Sequence, residues 1–507
     1  MSRAIPDSDD RSITSGSDFL QLDIGAAPAG RRAEWLADQL RRAIADGRLP
    51  LGGRLPATRV FADELGVSRG LVTEAYQRLV EDGHVVGRGR AGTVVVAAPA
   101  PAPAGPGVPP PPDTASADPT ALFGAPPGND VFDALRATPA RIDLSPGVPD
   151  LAAFPRAAWL RAERTVLDNL APADLGYGDP RGTPALRLAA AAWLARYRGI
   201  RVDPAEVIIV AGVAQGIGLL AQVLRNEGIT AMAVEDPGSL GTRQHLRNWG
   251  LDTPPIPVGP TGLRIDALAT SGLPAVMLTP AHQFPTGVVL GGEPRRRLMR
   301  WAEAGGLIVE DDYDAEHRYD RSPVPALRAV LAERVCYTGS VSKLLAPALR
   351  VGWLLAPAGY RDALVAAKRN ADLGNAALPQ LVLAELMTSG ALERHLRLLR
   401  RRHVRRRDTM IRAVRTHLPG AAVHGAAAGL HLMVTFGGDV VDVDLAAACL
   451  AEGVKVQPLS WHCQRPYRPG LVLGYAANPS NEIEDGVAAL GRALRHTAGT
   501  RTTRRPG

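Results

Sequence analysis

The chain has 507 residues, of which 46% are hydrophobic and 21% charged, a composition that excludes disorder throughout and is enough for roughly two to four folded domains. The net charge is +7, but only three of the 58 basic residues are lysines, Lys343, Lys368 and Lys455, so any chemistry that needs a lysine amine has three candidates. Three distant cysteines, no apolar run of membrane-spanning length and no apolar signal segment predict a soluble cytoplasmic protein.

The chain is predicted to divide into five parts. Residues 1–30 are polar and rich in Ser and Asp, which is typical of a disordered tail. Eight prolines lie between Pro99 and Pro112, and a segment of that composition forms a semi-rigid spacer and not a core. The parts are a disordered tail (1–30), a small helical module (31–97), a Pro/Ala-rich linker (98–128), a large second module (129–498) and a basic tail (499–507).

The first module has the pattern of a helix-turn-helix. A helix over about 31–46 precedes a short helix at 58–65, for which Thr58 is the predicted N-cap, and Gly66 and Val67 form the turn. Ser68 then caps a second helix that runs to about Asp82. The predicted apolar face of this second helix is formed by Leu71, Val72, Ala75, Leu79 and Val80, and its polar face by Arg69, Gly70, Thr73, Glu74 and Gln77. Such a helix offers its N-terminal polar residues to the DNA major groove.

After this helix, VVGRGRAGTVVV predicts two short strands around a glycine-rich turn, a wing with Arg88 and Arg90 near its tip. Along about sixty residues the module resembles a GntR-type winged helix; the matching residues are Leu55, Pro56, Arg59, Leu65 to Arg69, Ala75, Tyr76, Leu79, Gly92 and Thr93. The resemblance implies a mostly helical domain that binds double-stranded DNA through Arg54, Arg59, Ser68, Arg69, Thr73 and Gly92, with Arg88 added from the wing. The alternative is a small helical bundle that mediates protein contacts only.

The second module alternates short apolar runs with amphipathic segments of helical length. The runs are EVIIVAG, AMAVEDPG, PAVMLTPAHQ, GLIVEDDY, VCYTGS and RVGWLLAP. This alternation predicts a doubly wound α/β domain with a mainly parallel sheet. Its last hundred residues, a long helical segment followed by GLHLMVTF, VKVQPL and LVLGYA, predict a smaller α+β subdomain.

The predicted strand ends carry the groups that would hold pyridoxal 5'-phosphate. This cofactor needs a lysine amine for its aldehyde, a carboxylate for its pyridine nitrogen, and a helix N-terminus with an arginine for its phosphate. Lys343 follows the strand VCYTG, and Asp311 ends the strand GLIVED. The expected phosphate contacts are Ser340, Arg350 and the turn formed by Gly212, Val213, Ala214 and Gln215. Each feature alone is weak, since EDDYD is also compatible with a surface acidic run, but their conjunction indicates a cofactor site.

The segments TPAHQFPTG, IVEDDYDAEHRYD and YTGSVSKLLAPALRVGWLLAP resemble fold-type-I aminotransferases, and more closely the MocR branch of GntR regulators, in which a winged helix is fused to an aminotransferase-like domain. The resemblance spans about residues 31–495. It implies that Lys343 is the catalytic residue that forms the Schiff base, that Asp311 pairs with the pyridine nitrogen and that Tyr313 bonds the ring hydroxyl. It also places Ser340, Arg350 and residues 212–215 at the phosphate, and His282 and Gln283 near the ring.

Three departures from the aminotransferase pattern bear on mechanism. Ala477 stands where relatives that bind amino acids carry an arginine for the substrate carboxylate. Ser239 stands where many carry a ring-stacking aromatic residue, and Val213 replaces a hydroxyl-bearing residue. These changes predict a domain that holds the cofactor but processes α-amino acids poorly, unless another arginine, such as Arg465 or Arg468, supplies the carboxylate contact.

The combined features predict a homodimeric transcription regulator that holds pyridoxal 5'-phosphate at Lys343 and senses an effector, either an amine or amino acid or the cofactor itself, through the Schiff base. The alternatives are a working aminotransferase with an accessory DNA-binding domain, and a winged helix on an inert dimerisation domain. The arginine-rich run from Arg397 to Arg407 is compatible with a strip beneath DNA but favours a solvated helix face. His431 and His462 are expected to be structural or at the pocket edge, and no His, Cys or Asp spacing indicates a metal.

Overall fold

The computed structural model describes residues 22, 24–28, 31–46, 48–87, 89, 92–97, 122–319 and 324–502, with residues 498–502 described by their backbone alone. These residues form two compact units, one before and one after the undescribed segment 98–121. Most of the predicted disordered tail, Arg88, Arg90 and residues 503–507 lie outside the described residues.

The N-terminal unit is a three-helix bundle followed by a two-stranded antiparallel wing, as the sequence predicts. Its elements are α1 (Arg32–Ala45), α2 (Thr58–Leu65), α3 (Arg69–Glu81), β1 (Val85–Gly87) and β2 (Thr93–Val95). In the wing, Val85 pairs with Val95. Apolar residues at helical spacing, among them Leu36, Leu40, Phe61, Val72 and Leu79, form its buried core.

Two local predictions in this unit are wrong. Thr58 is the first residue of α2 and not its cap, because Ala57 holds the N-cap position without a side-chain hydrogen bond. Val80 is 45% exposed, whereas Tyr76 is buried and donates its hydroxyl to Pro56 O at 2.8 Å. The reason is helical geometry: Val72, Tyr76 and Leu79 follow the i, i+4, i+7 line that faces the core, and Val80 lies beyond that line.

The C-terminal unit contains twelve α-helices and fourteen strands within its described residues, besides short 3-10 helices. The helices are α4 (Val131–Ala137), α5 (Arg156–Asn169), α6 (Pro184–Arg198), α7 (Val213–Asn226), α8 (Leu240–Asn248), α9 (Ile265–Thr270), α10 (Gly292–Glu303), α11 (Ala358–Asp372), α12 (Ala377–Thr388), α13 (Ala391–His417), α14 (Asp442–Ala451) and α15 (Ser480–Thr502). The strands are β3 (Ile142–Asp143), β4 (Ile208–Val210), β5 (Ala233–Asp236), β6 (Pro255–Gly259), β7 (Gly262–Leu263), β8 (Ala275–Leu278), β9 (Leu307–Asp312), β10 (Val335–Ser340), β11 (Gly352–Leu355), β12 (Ala422–His424), β13 (His431–Thr435), β14 (Val454–Lys455), β15 (Gln457–Pro458) and β16 (Gly470–Gly474).

Eight strands form the central sheet in the order β4-β11-β10-β9-β8-β5-β6-β7. β10, β9, β8, β5 and β6 are parallel neighbours, β11 is antiparallel to both β10 and β4, and β7 is antiparallel to β6. All six apolar runs of the sequence are strands of this sheet, and their continuous burial is typical of parallel strands covered by helices on both faces. In such sheets ligands bind beyond the carboxyl ends of the strands.

The smaller subdomain is α+β, as predicted. Its antiparallel sheet has the order β12-β13-β16-β15, and α13, α14 and α15 pack with it around a shared apolar core. A separate parallel pair, β3 with β14, connects the start of this unit to its last part.

Two predicted boundaries differ from the structure. The linker ends before Gly128, because Phe123 is buried and stacks on Trp461 with ring centroids 5.2 Å apart. The backbone of residues 499–502 continues α15 and does not begin a loose tail. Across the residues that the structure describes, none of the helices combines the length and the apolar character needed to cross a membrane.

Candidate functional site

The position of Asp311 follows from strand alternation in β9. Successive side chains of a strand point to opposite faces, so Glu310 and Asp312 share one face and Asp311 occupies the other. Glu310 accepts the backbone N–H groups of Leu327 and Arg328, each at 3.0 Å, and Asp312 pairs with the buried Arg198. The acidic run is therefore not a surface run.

Asp311 has a buried oxygen with an unused hydrogen-bonding capacity. Within the described part of the chain, its Oδ1 atom has no hydrogen-bond partner. Burial, with the neighbouring carboxylates of Asp312 and Asp314, raises the pKa of Asp311 to about 7, while Lys343 acts in the opposite direction. A buried carboxylate of this kind fits a cationic N–H donor such as a protonated pyridine nitrogen.

Lys343 differs from the other two lysines in its partner. The amine of Lys368 is buried and paired with Asp372 at 2.7 Å, and that of Lys455 lies 3.6 Å from Asp143. The Nζ atom of Lys343 instead donates to the backbone carbonyl of Gly147 at 2.6 Å. Burial lowers the pKa of Lys343, with Asp314 and Asp311 opposing the shift. A lysine whose amine is more easily deprotonated is suited to attack a carbonyl carbon.

The predicted phosphate seat lies at the start of α7. Gly212 is the N-cap of this helix, with φ 78° and ψ 171°, a conformation that is essentially restricted to glycine. Gln215 accepts the N–H of Ala211 at 2.7 Å, and Arg350 donates to Ala211 O, so both side chains fix the turn. The first turn of a helix leaves its N–H groups, here including those of Val213 and Ala214, available to an anion. The hydroxyl of Ser340, the other predicted phosphate contact, accepts the N–H of Ser342 at 3.4 Å.

A buried polar cluster surrounds the expected ring position. His282 Nδ1 lies 2.8 Å from Asp314 Oδ2 and 3.0 Å from the hydroxyl of Tyr313. The sequence prediction missed Asp314, although it is in the quoted segment IVEDDYDAEHRYD, because its role depends on a contact 32 residues away. His431 completes the cluster: His282, Asp314 and His431 offer three possible metal-ligand atoms within 4.8 Å of one another, a grouping that the sequence spacing did not indicate.

The structure explains where several other predicted residues lie. Gln283 is buried and organises its loop, donating to Pro237 O at 2.9 Å and accepting from the Thr286 hydroxyl at 2.6 Å. Ser239 caps α8 by accepting from Thr242 N at 3.2 Å. His462 is a buried structural histidine that lies 3.2 Å from Gln457 Oε1.

The two arginines that the sequence offered as substitutes at Ala477 are both exposed: Arg465 donates to Pro255 O at 3.1 Å, and Arg468 lies nearby in the same loop. Arg406 of α13 instead donates to Ala476 O, next to Ala477. The arginine-rich run is therefore not simply a solvated face, since part of it turns inward.

Six of the seven predicted DNA-binding residues are described, and all six are exposed: Arg54, Arg59, Ser68, Arg69, Thr73 and Gly92. Ser68 Oγ caps α3 by accepting from Leu71 N at 3.3 Å. Arg69 is the first residue of α3, and Arg54 forms an isolated antiparallel bridge with Val94 of the wing. The exposed start of a helix beside a wing is the arrangement that reaches a DNA groove.

The chain matches two family models. Residues 32–95 match the bacterial regulatory proteins of the gntR family, and residues 140–490 match aminotransferase class I and II. The probable rhizopine catabolism regulatory protein MocR of Rhizobium meliloti is 31% identical over 463 residues, covering 90% of this chain and 93% of that protein. The chain belongs to the MocR-type regulators of the GntR family.

Further relatives align with this MocR-type regulator along almost their whole length. The pyridoxine biosynthesis regulator PdxR of Corynebacterium glutamicum is 31% identical, with 90% of this chain and 95% of that protein covered, and the regulator TauR of Rhodobacter capsulatus is 32% identical, with 92% and 98% covered. The multiple substrate aminotransferase of Thermococcus profundus has a TM-score of 0.67 at 26% identity, covering 74% of this chain and 96% of that structure. The relatives favour a DNA-binding regulator over an aminotransferase with an accessory domain.

Proposed function

We propose that this chain is a DNA-binding transcription regulator that holds pyridoxal 5'-phosphate and responds to an amine, an amino acid or the cofactor itself at Lys343. The observation that carries this proposal is that two suitable groups follow or end adjacent strands of the sheet. The Lys343 amine is bonded only to a backbone carbonyl among the described residues, and the buried Oδ1 atom of Asp311 has no hydrogen-bond donor among them.

The residues fit this cofactor group by group. Lys343 would hold the aldehyde carbon, Asp311 the pyridine nitrogen and Tyr313, oriented by His282, the ring hydroxyl. Arg350, Ser340 and the N–H groups of residues 212–215 would hold the phosphate. When bound, pyridoxal 5'-phosphate supplies an electrophilic carbon on which free amines can replace the lysine.

An active aminotransferase is the second function that the fold permits, and residual activity is part of the proposal. A transaminase must fix the substrate carboxylate so that the Cα–H bond stands perpendicular to the ring, and an arginine does so by a bidentate contact. Ala477 cannot make this contact, and Ser239 is used as a helix cap. These residues support a ligand-sensing role with little turnover. An inert dimerisation domain is disfavoured because the set of Lys343, Asp311, Tyr313 and Arg350 is complete.

A homodimer is proposed for the C-terminal unit. Leu160 and Leu167, seven residues apart on one face of α5, are 64% and 52% exposed, and Tyr177 shortly after α5 is 95% exposed. Leu175 and Leu188 are exposed as well, and large exposed apolar side chains are the kind that subunit interfaces cover. Sedimentation of the wild type and of a Leu160→Asp variant would test this: we expect a dimer that dissociates in the variant.

We expect the effector to change the relative populations of two states of the regulator that differ in DNA affinity, because a ligand shifts an equilibrium only through its different affinities for the two states. The corresponding measurement is the affinity for operator DNA with and without cofactor and amine. A DNA affinity that is the same with and without cofactor and amine would contradict the proposed sensing role.

The experiment that tests the cofactor site is an absorbance spectrum of protein reconstituted with pyridoxal 5'-phosphate. We expect a visible band, and covalent attachment of the cofactor to Lys343 after borohydride reduction. Lys343→Ala should remove the band, whereas Lys368→Ala, which removes a lysine paired with Asp372, should keep it. A colourless wild type, or attachment at Lys368 or Lys455, would contradict the proposal.

A further inference from the structure

Two arginines of the long helix α13 converge on one buried carboxylate. Arg402 Nη1 lies 3.1 Å from Asp150 Oδ2, and Arg406 Nη1 lies 2.9 Å from the same oxygen. The Asp150 side chain is completely buried, while 19% and 12% of the two arginine side chains remain exposed. The other carboxylate oxygen of Asp150, Oδ1, is buried and has no hydrogen-bond partner among the described residues.

This cluster adjoins the cofactor site through three separate connections. Asp150 lies three residues after Gly147, the backbone acceptor of the Lys343 amine. Arg406 also donates to Ala476 O, beside the position where an aminotransferase arginine would bind a substrate carboxylate. His395, seven residues before Arg402 on the same helix, is buried; burial lowers its pKa to about 4, while the backbone of Leu344 and the charge of Asp150 oppose the shift.

We propose that Arg402 and Arg406 form the anion-binding part of the effector site, which Asp150 occupies in this structure as an internal carboxylate. The ligand class is an amine that also carries a carboxylate or a similar anionic group: its amine reaches Lys343, and its anion replaces Asp150 between the two arginines. This inference rests on the proposed function for the ligand's amine end, but the anion site itself does not depend on the cofactor.

The carboxylate of Asp150 is suited to replacement by a ligand carboxylate because only one of its two oxygens has a hydrogen-bond partner among the described residues. Both arginines bind Oδ2, so Oδ1 is buried without a hydrogen bond. A buried acceptor without a donor lowers the stability of the folded state. A ligand carboxylate can offer one oxygen to each arginine, whereas Asp150 offers a single oxygen to both. Displacement of Asp150 would also release the loop that carries Gly147 from the neighbourhood of Lys343.

The first test uses matched amines with the full-length, cofactor-loaded protein. β-Alanine is compared with propylamine, and L-alanine with isopropylamine, since each pair differs by a carboxylate in place of a methyl group. Binding is followed by the change in the cofactor's absorbance. We expect tighter binding of at least one amino acid than of its alkylamine, and a loss of about tenfold or more for that amino acid alone in Arg402→Gln and Arg406→Gln. Arg401→Gln, an exposed arginine of the same run, is the control.

The comparison also shows which amino acids fit the site. A preference for L-alanine over isopropylamine indicates α-amino acids, and a preference for β-alanine over propylamine indicates amino acids whose amine lies further from the carboxylate. Equal affinities for amino acid and alkylamine in the wild type, or equal losses for both in the arginine variants, would overturn the proposal.

The second test needs no cofactor. Asp150→Ala leaves two partly buried arginines without their carboxylate, so we expect a lower melting temperature, which acetate or formate raises more than chloride does. The wild type and the double variant Asp150→Ala/Arg406→Gln should show no such carboxylate-specific gain. If acetate and chloride act alike on Asp150→Ala, the anion site is wrong. If carboxylate rescue occurs but no amine binds the loaded protein, the anion site stands and the proposed function at Lys343 fails.

Discussion

The guanidinium of Arg350 packs against the backbone of Gly212: a Cβ atom at Gly212 would lie 3.1 Å from Arg350 Nη1. Arg350 itself has a left-handed backbone conformation, with φ 50°, which directs its side chain to the start of α7. The two residues are 138 positions apart, and together they would form the proposed phosphate site, which neither could form alone.

We expect Gly212→Ala to weaken binding of pyridoxal 5'-phosphate about tenfold or more. The substitution places a side chain in a glycine-only conformation, which costs about 1–3 kcal/mol, and crowds the arginine that would bind phosphate. Gly228→Ala, at φ 83° with open space around it, is a control for backbone strain alone. The measurement is the affinity for pyridoxal 5'-phosphate of the wild type and of each variant, obtained by titration. Equal cofactor affinities in the two variants would show that Gly212 has no role at the phosphate.

The raised pKa of Asp311, to about 7, predicts a pH dependence of stability in the cofactor-free protein. A carboxyl whose pKa is higher in the folded than in the unfolded state favours folding when protonated. Its contribution is therefore complete below about pH 4 and is lost as the pH rises to about 7, at about 1.4 kcal/mol per pKa unit. We expect the melting temperature of Asp311→Asn, relative to wild type, to increase between pH 4 and pH 7 and to stay level above that. A difference that is constant with pH would contradict the assignment.

Arg69→Ala should relax the DNA sequence preference. Arg69 is exposed at the start of α3, where a bidentate base contact is worth about 1–3 kcal/mol. The control is Arg78→Ala, because Arg78 lies on the same helix and pairs with Glu74 at 2.8 Å. Arg88→Ala, at the position that the sequence predicts near the tip of the wing, should weaken binding to all DNA sequences alike and flatten the salt dependence. Gel shifts over a salt series, with DNA selected from a random pool, measure both effects. Unchanged discrimination in Arg69→Ala would mean that α3 is not the recognition helix.

The protein should bind amines without efficient transamination. Ala477 has no guanidinium that could orient a substrate carboxylate. Each 1.36 kcal/mol of lost transition-state binding lowers the rate about tenfold. Anion binding by Arg402 and Arg406 would hold a ligand but need not set the Cα–H bond perpendicular to the ring. A screen of the common amino acids against the loaded protein should therefore give little conversion to the pyridoxamine form. Rapid conversion, coupled to multiple turnover with a keto acid, would favour the enzyme.

Much of the fold could be predicted from local sequence. The helices of the N-terminal unit and the six apolar strands of the central sheet are at the expected places, since helical and strand periodicities are properties of short segments. The errors are at ends and faces: Thr58 is inside α2, Val80 is exposed, and Phe123 packs on Trp461 from a segment whose composition predicted a linker. For Phe123 the deciding partner, Trp461, is distant in sequence, whereas the errors at Thr58 and Val80 are small shifts in the end and in the buried face of a helix.

The sequence by itself determined the order of the two modules, the limit of three candidate lysines and the absence of an arginine at position 477, because these depend on residue type and spacing alone. Only the tertiary structure decided which polar groups meet. It pairs Lys368 and Lys455 with carboxylates and leaves the Lys343 amine on a backbone carbonyl, buries Asp311 with an oxygen unpartnered among the described residues, and brings Arg402 and Arg406 to Asp150 from 252 and 256 positions away. Contacts over such separations depend on how the helices pack on the sheet, and no local pattern encodes that packing.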